Sequence, residues 1–255
     1  MNLLLITDED FLADGTVRLC GRRAWHAREV LKAEPGEQLR VGRVGGLVGD
    51  GEVLESSPDE LRLRVSLAHE PPPRPEVDLL LAMPRPKALK RILPAAASLG
   101  VDRIVLINAY RVEKSYFQSK VLAEPFVHRL LLEGLEQARD TRMPRVLVRD
   151  RLRPFVEDEL GDLFATAGQR LIAHPVPDPN GSEPPTVGSE PTVIAIGPEG
   201  GWVPFELELL KAHGFHPIAL GARTLRVEAF VPFVLGWLQA HEARPSQGAA
   251  EQRVE

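Results

Sequence analysis

Cysteine is almost missing from this chain: Cys20 is its one thiol. A lone cysteine excludes an internal disulfide framework and fits a reducing compartment, so the expected location is the cytoplasm. Long apolar runs are missing too. No stretch approaches the roughly 18–20 apolar residues that span a bilayer. The opening MNLLLITDEDF turns acidic at Asp8 and has no basic segment ahead of its short apolar run, unlike a secretory leader. Signatures of several large catalytic classes are also absent. The glycines at 197, 200 and 201 match neither G-x-G-x-x-G nor a loop ending in Gly-Lys-Ser/Thr, since Gly201 is followed by Trp202. There is no G-x-S-x-G turn for a serine nucleophile. Of the histidines only His213 and His216 lie close together, without a cysteine or carboxylate cluster at ligand spacing, so no metal is expected.

What is present reads as an ordinary globular protein. Its 255 residues are 44% hydrophobic and 26% charged, enough for one large or two modest domains. The net charge of −5 is unevenly spread. Residues 1–70 carry 9 Lys and Arg against 13 Asp and Glu, residues 71–150 carry 14 against 9, and residues 151–255 carry 8 against 14. The middle stretch is therefore locally basic, a distribution that matters more for an anionic partner than the sum. Arginines outnumber lysines 25 to 6, which composition or thermostability explains as well as RNA binding does.

The pattern changes once along the chain. Residues 1–70 hold short, partly alternating runs (EQLRVGR, LVGDGEVLES, LRLRVSLA) broken by glycines and Pro58-Asp59, which predicts a small β-barrel. One helix is expected ahead of those runs, at RRAWHAREVLKA, with Trp25, Val30 and Leu31 inward and Pro35-Gly36 as its stop. PPPRPE at 71–76 reads as a stiff linker, because consecutive prolines join neither ladder nor helix. From 77 to 243 apolar runs alternate with helical periods: VDLLLAM, RIVLI, RVLVR, RLIAHP, TVIAIGP and HPIAL between helices near 87–100, 122–139, 154–166, 204–213 and 228–242. Continuous apolar strands alternating with helices predict an α/β domain on a mostly parallel sheet. The Pro/Ser/Gly-rich stretch 175–192 reads as a long loop, and residues 244–255 as a disordered tail.

Two segments carry chemistry. IAIGPEGGW at 194–202 runs from a buried strand into three glycines, a proline and Glu199, at the strand end where open α/β sheets bind ligands. LGARTLRVEAF at 220–230 follows the strand HPIAL and places Arg223, Arg226 and Glu228 before the last helix. Each alone is also a plausible plain strand-to-helix connection; together they describe one composite pocket.

This pair resembles the paired signature of the small-subunit (16S) rRNA uridine-N3 methyltransferase family, of the SPOUT class. LGVDRI, EQARDTRMPRV and WHAREVLKAEPGEQLRVG resemble further segments of that family in the same order, the last within its N-terminal PUA-like domain. The resemblance implies a SPOUT domain whose C-terminal part ties a trefoil knot, preceded by a PUA-like β-barrel. It also implies a homodimer that binds S-adenosyl-L-methionine and acts on rRNA or the small ribosomal subunit. Carried over by position, cofactor binding falls to Ala173, His174, Gly197, Glu199, Gly200, Gly201, Leu220, Gly221, Leu225 and Arg226. Catalysis falls to Arg226 and Glu228. RNA contacts fall to Arg22, Arg23, His26, Arg139, Arg142 and Arg223. The chain departs from the family where Val227 and Ala229 replace hydroxyl residues, where Ala95 and Ser98 replace Lys and Glu, and at Pro232. Two other readings stand beside this one: a non-catalytic RNA-binding paralogue with the same knotted fold, and an unknotted enzyme acting on a small phosphorylated substrate.

Overall fold

The computed structural model describes residues 2–174 and 190–242. Most of the loop expected at 175–192, and the whole tail expected at 244–255, lie outside them. The chain forms two compact units. The first gathers residues 1–73 with 127–143, and the second gathers residues 74–126 with 144 onward.

The first unit is a five-stranded sheet in the order β1-β3-β4-β5-β2. Its strands are β1 (Leu4–Ile6), β2 (Val17–Cys20), β3 (Gln38–Arg43), β4 (Val48–Ser56) and β5 (Glu60–His69). β1 and β3 run parallel, and the other pairs are antiparallel. Alternation decides the inward face: Val17 and Leu19 of β2, and Leu61 and Leu63 of β5, are buried. They meet Leu4, Ile6, Val41 and Val53 in one core around which the sheet curls into a nearly closed barrel. Gly49 sits where the β4–β5 register slips, and a Cβ there would lie 1.9 Å from the Ser66 carbonyl oxygen. Only glycine fits that bulge.

The helix of this unit differs from expectation. α1 (Arg22–Glu29) stops before Pro35-Gly36, with Val30 as its C-cap and Lys32 in the left-handed region at φ 56°. Its inward residues are Ala24 and Ala27, while Trp25, Val30 and Leu31 are 53%, 54% and 39% exposed. Small side chains let the helix backbone lie close on the barrel core, and the large apolar residues face away.

Residues 127–143 join this unit through specific bonds, which a boundary at 71–76 does not anticipate. The Asn2 amide N–H donates to the Glu136 carbonyl, the Gly45 N–H donates to the Thr141 carbonyl, and Arg22 pairs with the Glu136 carboxylate at 2.9 Å. Burial raises the Glu136 pKa despite that arginine.

The second unit is a six-stranded, wholly parallel sheet in the order β11-β9-β10-β6-β7-β8. These strands are β6 (Val77–Ala82), β7 (Arg103–Ile107), β8 (Arg145–Arg149), β9 (Gln169–Ala173), β10 (Thr192–Ile196) and β11 (His216–Ile218). Central strands β6 and β10 are buried at every position, Asp78 and Thr192 included, as largely apolar strands covered on both faces should be. Each fully buried leucine of β6 contributes about 1.5–3 kcal/mol by leaving water.

Its helices are α2 (Pro86–Ser98), α6 (Pro204–Ala212) and α7 (Val227–Glu242), with a broken element after β8, while α3 (Glu124–Ala138) begins in this unit and belongs from residue 127 to the first. That element was expected as one helix near 154–166. It is instead α4 (Leu152–Pro154), a π turn (Phe155–Glu159) and α5 (Leu160–Leu163). Pro94 and Pro232 lie inside α2 and α7, which pack together. Gln239 ties them by donating to the Leu99 carbonyl at 2.7 Å.

Candidate functional site

Three neighbouring strands, β9, β10 and β11, end on the same side of the parallel sheet, and the loops that follow them line one cleft. Its volume is about 560 Å³, within the range of small-molecule and cofactor sites. Ala173 and His174 come from β9, residues 196–202 from β10, and residues 218–227 from β11 and the start of α7, where Phe230 completes the wall. The ten residues named for the cofactor all stand on this wall.

The β10 loop is built by its glycines. Gly201 has φ 73°, and its N–H closes a turn on the Pro198 carbonyl at 2.8 Å. A Cβ at Gly197 would lie 3.1 Å from Nε1 of Trp202, so glycine lets the indole pack beneath the turn. Trp202 is 4% exposed, and its buried Nε1–H has no hydrogen-bond partner among the described residues. Opposite, Gly221 has φ 78°, and a Cβ added there or at Gly201 would meet nothing within 4 Å. Positive φ, rather than space, makes these positions glycine.

Two arginines that the sequence did not single out hold the same loop. Glu199 Oε1 accepts from the Arg85 N–H at 3.3 Å and lies 3.9 Å from the Arg85 guanidinium. Arg111 donates to the Gly200 carbonyl. Neither sits in a recognisable motif, and both come from connections after β6 and β7, far away in sequence. Just beyond the loop, buried Glu206 accepts from the N–H groups of Val203 at 3.0 Å and Tyr110 at 2.7 Å. That pair of bonds fixes the start of α6 against the segment after β7.

The proposed catalytic pair is divided. Arg226 is exposed and lines the cleft, and its carbonyl accepts from the Phe230 N–H at the start of α7. Glu228, half-buried in the first turn of α7, does not line the cleft. Among the described residues no ion pair joins the two. Among the described residues Glu199 is the one carboxylate on the cleft wall. His174 stands on the wall with its pKa lowered, first by burial and then by the Lys211 charge, both of which favour the neutral imidazole.

The residues named for RNA contact are scattered, and several are occupied. Arg23 forks onto Asp10 at 2.6 and 2.7 Å and also donates to the Leu5 carbonyl. Burial works to raise the Asp10 pKa, yet the Arg23 and Thr7 hydrogen bonds outweigh it and leave it lowered. Arg22 is held by Glu136, and Arg142 by Asp140 and the Pro72 carbonyl. His26 has a buried Nε2 without a partner among the described residues. Arg139 is exposed and ends α3 in the left-handed region at φ 59°, where glycine is usual. Arg223 is exposed on the cleft wall. Among the described residues no group of three His, Cys, Asp or Glu is placed to hold a metal, and no helix is long and apolar enough to cross a membrane.

With this geometry in view, comparison with known proteins is informative. Residues 70–239 match the model of the RNA methyltransferase domain. The ribosomal RNA small subunit methyltransferase E of Treponema pallidum is 30% identical over 231 residues, covering 89% of this chain and 86% of its own. Two solved structures share the fold across 94% of this chain and 98% of theirs. One is a Legionella pneumophila protein in complex with SAM, with a TM-score of 0.71 and 24% identity. The other is a ribosomal RNA small subunit methyltransferase E of Neisseria gonorrhoeae bound to S-adenosyl methionine, with a TM-score of 0.67 and 19% identity. A family match over most of its length and a close relative across nearly all of it lead to one conclusion: the chain belongs to the RNA methyltransferase family, among the ribosomal RNA small subunit methyltransferases E.

Proposed function

We propose that this protein is an S-adenosylmethionine-dependent methyltransferase that modifies N3 of a uridine in small-subunit rRNA. On this reading it works as a cytoplasmic homodimer with a knotted C-terminal domain. The observation that carries it is the cleft formed by three adjacent strand ends, with every residue expected to hold the cofactor on one wall. The wall suits that ligand. Leu220, Leu225 and Phe230 offer apolar surface for a flat purine, and the glycine turns bring backbone amides within reach of its edge. The orphaned Trp202 N–H offers a buried donor.

When bound, S-adenosylmethionine supplies a methyl group already activated by the sulfonium charge. The protein's residues orient the uracil and handle its proton. Uracil N3–H is a weak acid, and its nitrogen becomes nucleophilic only as the proton leaves. Arg226, on the cleft wall, stabilises the negative charge that then spreads over the ring. Glu228 takes the proton through a water. A second reading gives that proton to Glu199, because it is the carboxylate on the wall. Neutral His174 adds no cation next to the sulfonium. Exposed Arg139 and Arg223 contact the rRNA backbone, while Arg22, Arg23, His26 and Arg142 contribute mainly by shaping the unit that presents it.

The test is methyl transfer from labelled S-adenosylmethionine to small ribosomal subunits from a strain without the endogenous enzyme. Incorporation is expected with the wild-type chain and is strongly reduced in Glu228→Gln. Full activity in Glu228→Gln with loss in Glu199→Gln moves the proton to Glu199. S-adenosylmethionine binding without any transfer supports the non-catalytic paralogue instead.

A further inference from the structure

A second cleft, of about 670 Å³, opens on the same edge of the parallel sheet, beyond the ends of β7 and β8. Tyr110 and Lys114 come from the segment after β7, Arg151 and Leu152 from that after β8, and Phe205 from the first turn of α6. None of these residues belongs to the ten named for the cofactor, and no step proposed above uses them.

Two features of this cleft call for a ligand. The first is aromatic exposure: Tyr110 is 83% exposed and Phe205 57% exposed, in a chain with only 2 tyrosines and 9 phenylalanines. Rings left in water at the mouth of an apolar cleft contribute little to folding and offer flat faces to a flat partner. The second is charge. Lys114 and Arg151 are exposed on the wall, and the Arg153 guanidinium, paired with Glu157 at 2.8 Å, lies 6.0 Å from the Phe205 ring centre. On the acidic side the wall carries exposed Asp150, and Glu206, which is buried and accepts from two backbone N–H groups. Aromatic faces with a cationic rim are the chemistry that holds an unpaired nucleotide: stacking for the base, cations for the phosphate.

The connection to the first cleft is covalent and short. The β10 loop forms one wall of the first cleft, and the next residues, Val203 to Glu206, form a wall of the second. Arg111, between Tyr110 and Lys114, is bonded to Gly200 in that loop. A strand of RNA with one nucleotide in the first cleft thus meets the second within a few residues of protein.

We propose that the cleft lined by Tyr110, Phe205, Lys114 and Arg151 binds one unpaired nucleotide of the substrate RNA, a neighbour of the methylated uridine, by stacking its base and pairing its phosphate. This rests on the methyltransferase reading for the identity of the substrate and adds a recognition subsite to it. The site discriminates single-stranded from duplex RNA, because a paired base cannot leave its helix to stack on protein without a cost.

The experiment titrates the full chain with a short fluorescein-labelled oligouridylate and, separately, with S-adenosylmethionine by calorimetry. Tyr110→Ala and Phe205→Ala are each expected to weaken oligouridylate binding roughly tenfold, the scale of one lost stack, while leaving S-adenosylmethionine binding unchanged. Tyr110→Trp restores the affinity. Lys114→Ala lowers the slope of log affinity against log salt by about 0.7, as for one phosphate contact on a single strand. Unchanged oligouridylate affinity in both aromatic variants overturns the proposal, as does a wild-type chain that does not bind the oligomer. So does a shift in sedimentation of the aromatic variants without a change in RNA affinity, which assigns this face to a protein contact. If the aromatic variants bind RNA normally while the wild type methylates small subunits, only the subsite fails. If the wild type binds the oligomer through these rings but transfers no methyl group, the subsite stands and the methyltransferase reading fails.

Discussion

The two clefts on the carboxyl edge of the parallel sheet are made in opposite ways. The one beyond β9, β10 and β11 is made of backbone: glycine turns with positive φ at 201 and 221, and Gly197 opened for the Trp202 indole. The one beyond β7 and β8 is made of exposed side chains on ordinary loops, with Tyr110 and Phe205 at its mouth. A backbone-built wall suits a small, invariant ligand whose edge must be read closely, because its geometry hardly varies with rotamers. A wall of exposed rings and cations suits a flexible polymer that needs many tolerant contacts. The shared β10 loop, held by Arg85 on Glu199 and Arg111 on Gly200, is where the two meet.

That contrast can be broken residue by residue. The largest effect is expected from Arg226→Ala, which should lower kcat by about 10²–10³-fold, as the loss of a preorganised charge partner does. Oligouridylate affinity should stay within about twofold, and equal losses in both would show that Arg226 merely binds RNA.

Next comes Gly201→Ala. Its Cβ has open space, but φ 73° costs an L-residue about 1–2 kcal/mol. S-adenosylmethionine binding should weaken about tenfold, read by calorimetry, with the second cleft unaffected. A variant with normal affinity would mean the turn relaxes without consequence.

Arg111→Ala should be the one substitution felt on both sides. Removing the exposed guanidinium from the Gly200 carbonyl should weaken cofactor and oligouridylate binding together by about threefold to tenfold, since a charged hydrogen bond at a solvent-accessible site is worth about 1 kcal/mol. An effect on one ligand alone would separate the clefts energetically.

The smallest effect is that of pH on the first cleft. The His174 pKa is lowered from the ordinary imidazole value of 6.5. The neutral form is therefore favoured in the folded protein, and its contribution holds above pH 6.5 and fades as pH falls through the lowered value. Affinity for the cationic cofactor should be flat from pH 8 to about 6.5 and decline by a few-fold below it. His174→Asn should remove the decline.

How far the sequence announced this molecule follows the same contrast. Backbone-built features left marks: the largely apolar runs of β6 and β10 read directly as buried parallel strands, and Gly-Pro-Glu-Gly-Gly as a glycine turn at a strand end that lines a cleft. Side-chain assembly across long separations left few. Nothing in the local pattern near Arg85 or Arg111 points to the β10 loop 89 or more residues away. Trp25, Val30 and Leu31 looked like the inner face of α1 because helical spacing shows which residues share a face, not which face is inward. There the two alanines, able to approach the barrel closely, took the inside. Residues 127–143 belong with the first unit for a similar reason, since the Glu136 contacts with Asn2 and Arg22 are invisible to local pattern. The fork of Arg23 onto Asp10 likewise left no mark in the local pattern.

The most direct test is mass analysis of nucleosides from small-subunit rRNA that lacked the modification and was then incubated with this protein and S-adenosylmethionine. The expected result is 3-methyluridine as the new nucleoside, absent when Arg226→Ala replaces the wild type. Appearance of a carbon-methylated uridine or a methylated base other than uracil, or no methylated nucleoside at all from a protein that binds the cofactor, would contradict it.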